Sequence, residues 1–189
     1  DADDLTAQIT VRGETGQELV GQTVAFRVRA GERRNLWRLP KLPPERPLYF
    51  LFLLLTRKNK PVARNVYWLS TTPDRFASEP EKFSWPVVEH ADMRALTRLP
   101  PAVVGVDANL GAVDGELRAT VTLSNPSRNI AFFLWLKLVD RRTRELLAPV
   151  YWSENGITLQ PGEAWTVTAR APGLRMPEEV EVIHEQPYQ

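Results

Sequence analysis

Apolar and polar residues alternate along much of this chain. Val24, Phe26 and Val28 interleave with Thr23, Ala25 and Arg27, and Leu117, Ala119, Val121 and Leu123 interleave with Arg118, Thr120 and Thr122. An extended backbone points successive side chains to opposite faces, so a period of two predicts half-buried strands. The same period runs through Trp165, Val167 and Ala169, and turn signals separate the runs at Asp114-Gly115, Asn125-Pro126 and Pro161-Gly162. Short strands with turns at this spacing predict sheets packed face to face. About seven strands are expected from Ala102 onward and about five before Ser70.

An internal repeat sets the expected domain count. Phe50-Leu51-Phe52-Leu53-Leu54-Leu55, a charged turn at Arg57-Lys58-Asn59-Lys60 and then Val66-Tyr67-Trp68 are echoed later in the chain. The second copy is Phe132 to Leu138, a turn at Asp140-Arg141-Arg142-Thr143 and then Val150-Tyr151-Trp152. One hairpin written twice predicts two related sandwiches, over residues 1–72 and 102–189. Residues 73–101 differ in kind. They hold mixed charge and a short helical stretch that Asp92 can cap ahead of Met93, Leu96 and Leu99, and five prolines fall between Thr71 and Pro101. Phe76, Phe83 and Trp85 in this linker predict that it lies against a sandwich, because a disordered linker carries few aromatics. The first sandwich is expected to lack its opening strand, leaving a sheet edge for residues upstream of Asp1 to cover.

Composition narrows the chemistry. Lys and Arg number 24 against 23 Asp and Glu, a net charge of +1 that gives no field for holding a nucleic acid or an anionic membrane. The basic pairs Arg33-Arg34 and Arg141-Arg142 sit between strand-like runs and read as solvated turns. The longest apolar run, Leu48 to Leu55, has eight residues, far short of the roughly 20 that cross a bilayer as a helix. There is no cysteine, which excludes disulfides, thiol nucleophiles and thiolate metal sites and leaves the compartment open. Asp1-Ala2-Asp3-Asp4 is acidic and leads directly into strand pattern without an apolar leader. The expectation is a chain that starts inside a longer protein, or one whose leader has been removed.

No catalytic constellation stands out. A retaining glycosidase needs two carboxyl groups roughly 5 Å apart, one protonated and one ionised. Glu79 and Glu81 lie in the polar linker, and Glu178, Glu179 and Glu181 open the last strand; all five read as solvated surface. His90 and His184 are far apart in sequence and neither belongs to a ligand-spaced pair, so no metal site is expected. Ser70 and Ser153 lack the glycine-flanked turn that exposes a hydrolase serine. No motif supports a nucleotide, flavin or other cofactor. The six tryptophans are the feature suited to sugar, since the axial C–H groups of a pyranose pack on an aromatic face. Trp135 and Trp165 sit on strand patterns and are expected in the core. Trp68 and Trp152 hold equivalent repeat positions, which points to a shared structural job, and Trp37 and Trp85 are the candidates for exposure.

The stretch Arg64-Asn65-Val66-Tyr67-Trp68-Leu69-Ser70 followed by Pro73-Asp74 resembles the C-terminal part of glycoside hydrolase family 2 enzymes, nearest to the exo-β-D-glucosaminidases, with β-mannosidases next. In the second module Asn129 to Leu134, Leu147 to Asn155 and Leu159 to Glu163 are similar, in the same order, to that family's terminal immunoglobulin-like domain. The resemblance covers nearly all of the chain. It implies an all-β protein of two tandem immunoglobulin-like sandwiches joined by a structured, proline-rich linker with a short helix. It also implies a parent chain whose catalytic (β/α)8 barrel holds the two glutamates of the reaction. No segment here resembles that barrel, so no catalytic residue is carried over. The implied role is accessory: the pair packs beside the barrel and other domains of a secreted or periplasmic parent that removes terminal glucosamine or mannose. The loop with Ser153, Glu154 and Asn155 would touch the substrate rim or the barrel. The family commonly shows Ser-Asp-Asn-Tyr where this chain has Ser153-Glu154-Asn155-Gly156. Two other functions fit the same residues: an independent carbohydrate-binding module that takes oligosaccharide on exposed aromatics, and a structural or adhesive repeat.

Overall fold

The computed structural model describes residues 2–79, 82–174 and 177–186. It is all-β, and it divides into two compact units, Asp1–Arg98 and Leu99–Gln189.

The first unit is built on one antiparallel sheet of four strands, β1 (Ala2–Gly13), β2 (Glu18–Val28), β3 (Leu48–Arg57) and β4 (Lys60–Ser70), in the order β2-β1-β3-β4. Where the sequence predicts about five shorter strands, there are four of 10 to 12 residues before Ser70. The charged turn between β3 and β4 forms as expected. Lys58 and Asn59 both take positive φ, 49° and 62°, the backbone of a two-residue turn whose twist matches that of the flanking strands. β3 carries the apolar weight: Leu48, Tyr49 and Phe50 are consecutive and all fully buried, so both faces of the sheet are covered at that end. The Tyr49 hydroxyl donates to the Pro43 carbonyl, which ties the 29–47 connection to the sheet.

Residues after Ser70 form a two-stranded ribbon, β5 (Arg75–Phe76) with β6 (Val87–Glu89), and a 3-10 turn over Arg94–Arg98. The helical stretch is there, shorter and tighter than an α-helix, and Asp92 caps it: its Oδ1 accepts from the Arg94 amide at 3.0 Å. The expectation that the aromatics fasten this segment down fails. Phe83 is completely exposed, and Phe76 and Trp85 are each 55% exposed. Polar contacts organise it instead, among them Arg75 with Glu89 at 3.0 Å, the Ala77 amide on the Pro86 carbonyl at 2.8 Å and the Ala91 amide on Asp74 at 2.7 Å.

Among its described residues the second unit is a sandwich of seven strands, the number expected from Ala102 onward. They are β7 (Gly105–Val113), β8 (Glu116–Ser124), β9 (Ala131–Asp140), β10 (Tyr151–Trp152), β11 (Ile157–Leu159), β12 (Ala164–Pro172) and β13 (Val180–Glu185). One sheet has the order β10-β12-β8-β7 and the other β11-β9-β13. Between them lie Val121, Leu123, Leu134, Leu136, Ile157, Leu159 and Val167, all buried. Each such side chain contributes about 1.5–3 kcal/mol on leaving water. Asp114-Gly115 makes the β7–β8 turn with φ of 51° and 77°.

The repeated motif does not pair in the same way twice. In the first unit β4 runs back along the whole of β3. In the second, β9 and β10 belong to opposite sheets. Pairing from β9 stops after the Val139–Leu146 bridge and the Leu147 amide on the Leu138 carbonyl at 2.9 Å. Pro149, joined to Ala148 by a cis peptide bond, has no amide hydrogen to extend a ladder, and Tyr151 and Trp152 join β12.

Asn125 ties the end of β8 to the strands around it. It is buried, and its Nδ2 reaches the carbonyls of Asn129, Leu159 and Gln160 at 2.8, 3.1 and 3.2 Å while Oδ1 accepts from the amide and hydroxyl of Ser127. Replacing it with alanine strands several buried polar groups, each costing about 1–3 kcal/mol. Chemical denaturation of Asn125→Ala is expected to show a loss of about 3 kcal/mol, against about 0.5 kcal/mol or less for an exposed control such as Thr120→Ala.

Candidate functional site

The loop between β10 and β11 is held at every position. The Ser153 amide donates to the Thr168 carbonyl at 2.8 Å and its hydroxyl accepts from the Thr168 amide at 2.9 Å, which extends the β10–β12 pairing by one residue. Glu154 Oε2 accepts from the indole N–H of Trp165 at 2.8 Å. Asn155 turns its carboxamide onto β9 and pairs with both backbone groups of Leu136, Oδ1 accepting from the amide at 2.8 Å and Nδ2 donating to the carbonyl at 3.0 Å. One side chain thus imitates a strand neighbour for β9. Ser153 is exposed, while Glu154 and Asn155 are half-buried.

Gly156 follows with φ of 68°, and a side chain there would meet more than backbone strain. A Cβ would sit 3.2 Å from the tip of the Phe133 ring. Phe133 is itself unusual, a large side chain at φ 55° in the middle of a strand. A bulky residue in the left-handed region costs about 1–3 kcal/mol and persists only where its surroundings over-determine it. Here the Phe133 amide donates to the buried Thr158 hydroxyl at 3.1 Å and the ring lies against Gly156. Beyond it, Trp135 is nearly parallel to Phe133, with ring centroids 6.1 Å apart and planes inclined by 23°.

Trp135 corrects the sequence reading, which put it in the core. It is 44% exposed. Leu134 and Leu136 take the inward positions of β9, so the period of two leaves Trp135 outside. In the run from Phe132 to Leu138, apolar at every position but Lys137, hydrophobicity says little about which face Trp135 takes. Across the ladder Trp135 faces Glu185, which is bonded to Lys137 at 2.6 Å. Trp165 is half-buried at the margin of the core, held by Glu154. Of the two tryptophans expected at the surface, Trp85 is exposed and Trp37 is half-buried; Trp68 and Trp152 are both half-buried.

The other candidates are dispersed. Glu79, Glu178 and Glu179 are exposed, Glu181 pairs with Arg144, and Glu81 lies outside the described residues. His90 stands 3.8 Å from Asp74, and His184 is half-buried on β13. Among the described residues no three His, Cys, Asp or Glu side chains gather where a metal ion could sit. Arg34 donates to the Arg27 carbonyl at 2.7 Å, a contact near its own turn, and Arg141 reaches the carbonyl of Val180 at the start of β13 at 3.4 Å. Sequence reasoning missed a shallow groove of about 470 Å³ on the β10-β12-β8-β7 sheet, where the Arg170 guanidinium lies 4.5 Å above the Tyr151 ring beside Arg118, Thr120 and Ser153. The apolar-polar alternation of β8 and β12 does forecast a polar outer face, but not that Tyr151 joins it.

Residues 82–184, more than half of the chain, match the family model described as the exo-beta-D-glucosaminidase Ig-fold domain. The chain is 35% identical over 132 residues to an exo-beta-D-glucosaminidase of Arthroderma benhamiae, covering 69% of this chain and 15% of that protein. It is 38% identical over 123 residues to one of Amycolatopsis orientalis, covering 63% and 12%. The chain therefore spans roughly an eighth to a seventh of the length of these relatives. Among solved structures, the Amycolatopsis orientalis exo-chitosanase CsxA superposes with a TM-score of 0.78 at 29% identity, over 97% of this chain and 22% of that one. Its E541A variant in complex with PNP-beta-D-glucosamine superposes at 0.75.

Two measurements check this geometry. Asn155→Ala leaves the amide and carbonyl of Leu136 without their partner and is expected to cost about 2 kcal/mol in chemical denaturation, and Asn155→Asp, which keeps the acceptor but sets a carboxylate oxygen against the Leu136 carbonyl, is expected to lose at least as much. Burial holds the His184 imidazole below its ordinary value of 6.5. The folded chain thus takes up that proton less readily than the unfolded one, so stability is whole above the unfolded value and falls as pH drops through it. Between about pH 7.5 and about pH 5.5 the unfolding midpoint is expected to fall further in the unmodified chain than in His184→Gln.

Proposed function

Given that the chain belongs to the exo-β-D-glucosaminidase immunoglobulin-fold domain family, we propose that it serves as the non-catalytic accessory region of a glycoside hydrolase family 2 enzyme that removes terminal β-linked glucosamine from oligosaccharides. The observation that carries this reading is the match over residues 82–184, centred on the second sandwich, together with relatives several times longer than this chain. Such proportions leave most of each relative for other domains. The choice of glucosamine over mannose follows the relatives, each described as an exo-beta-D-glucosaminidase.

The geometry supports a scaffolding role over a chemical one. Glu154 and Asn155, the polar side chains of the loop that most nearly qualify for chemistry, are engaged with Trp165 and Leu136. A carboxylate that receives an indole N–H and a carboxamide locked to a strand are suited to hold a loop in shape. In the assembled enzyme this loop borders the substrate pocket, with Ser153 at its exposed shoulder. Stiffness there helps catalysis indirectly, because a wall placed to within a fraction of an ångström keeps the sugar in a reactive pose.

The test is a side-by-side assay of this chain and the full-length protein on aryl β-glucosaminide and aryl β-mannoside. The chain is expected to be inert and the full-length protein to cleave the glucosaminide. Turnover by the chain alone would overturn the accessory role, and a full-length enzyme that prefers the mannoside would overturn the sugar.

A further inference from the structure

The outer face of the β11-β9-β13 sheet carries a feature that the accessory role does not use. Trp135 exposes close to half of its surface in a strand whose inward side chains are fully buried, and Phe133 lies nearly parallel to it. At a centroid separation of 6.1 Å the two rings are displaced sideways and do not cover each other, so together they offer a longer aromatic surface than either alone. Along the same face β13 sets Glu185 opposite Trp135 and Glu181 opposite Val139. Beside Trp135, Lys137 pairs with Glu185, and farther along the sheet Arg144 pairs with Glu181.

We propose that this strip is a binding subsite for a β-linked glucosamine oligosaccharide, with Trp135 and Phe133 as the stacking surface and Glu185 as the acceptor for a sugar ammonium group. The identity of the sugar rests on the function proposed above; the site rests on its own geometry. Equatorially substituted β-linked pyranoses present axial C–H groups on their faces, and these pack on aromatic rings. A run of such sugars is a ribbon about as wide as one ring, which suits two neighbouring rings with a carboxylate beside them better than a protein face does. Protein interfaces bury several hundred Å² on each side and keep charge out of their centres.

Preorganisation adds to the case. Phe133 is fixed by its left-handed backbone, the Thr158 hydroxyl and the floor at Gly156, and Trp135 sits on the strand that Asn155 braces at Leu136. Little ordering is left to pay for on binding. Glu185 is half-exposed, and Lys137 holds its Oε1, so a cationic sugar can approach the second oxygen. An ammonium near the indole also gains from the negative face of the ring.

The experiment titrates this chain with glucosamine oligomers and with cello-oligomers, both of about six sugars, by calorimetry and tryptophan fluorescence, circular dichroism confirming that each variant folds. Saturable binding of the glucosamine oligomer is expected, weakened at least about tenfold in Trp135→Ala and unchanged in Trp85→Ala. Glu185→Gln is expected to weaken the glucosamine oligomer while leaving the neutral cello-oligomer as it was. Three results overturn the subsite: no binding by the folded chain, equal affinity in Trp135→Ala, or a Trp135→Ala full-length protein that loses thermal stability without losing oligosaccharide. The last would make the strip a packing surface for another domain. An active full-length enzyme whose accessory chain takes no oligosaccharide would remove this inference and leave the preceding one standing.

Discussion

The carboxamide of Asn155 meets the peptide group of Leu136 edge to edge, and much of the second sandwich is arranged around that contact. β11 is three residues long and reaches β9 at Leu134 and Ala131, which leaves the backbone of β9 near Leu136 without a strand on that side. Asn155 supplies what the short strand lacks. Because it docks there, Gly156 arrives beneath the Phe133 ring, Glu154 is brought to Trp165, and Ser153 stays in line with β12. A buried strand edge left open to neither water nor protein costs about as much as the hydrogen bonds it forgoes. The loop is shaped by that requirement first.

Much of the fold is legible in the sequence because it depends on local rules. The alternation at Leu117 to Leu123 and Trp165 to Ala169 reads directly as β8 and β12, and the Asp114-Gly115 and Lys58-Asn59 turns fall where two positive φ angles are needed. What stays hidden depends on distant partners. Val-Tyr-Trp occurs twice, yet one copy completes a hairpin and the other changes sheets, a choice made by whether the chain can keep pairing past Pro149. Within Phe132 to Leu138 every residue but Lys137 is apolar, so the one outward signal is that Lys137, two residues on, shares the face of Trp135, and the register against β13 fixes it. Phe133 breaks the alternation altogether, since its left-handed backbone lets two neighbours, Ala131 and Phe132, both be buried. In the linker aromatic content is a poor guide to packing, since Phe83 and Trp85 stand in solvent and the segment is held by Asp74, Arg75, Glu89 and Asp92.

The loop itself was legible as a place and not as a mechanism. The resemblance points to Ser153, Glu154 and Asn155, and the structure gives each a hydrogen-bonded role inside the sandwich. Under the proposed function these structural roles are compatible with a rim, because a rigid loop is one way for an accessory domain to serve chemistry carried out elsewhere.

The left-handed backbone at Phe133 has an evolutionary consequence. Glycine or asparagine would relax the main chain there but would remove the ring from its place beside Trp135; any residue larger than glycine at 156 would push the ring away. Backbone comfort and aromatic surface pull in opposite directions at two positions that touch. Neither can drift without the other, so in a lineage that keeps this surface Phe133 and Gly156 are expected to change together or not at all.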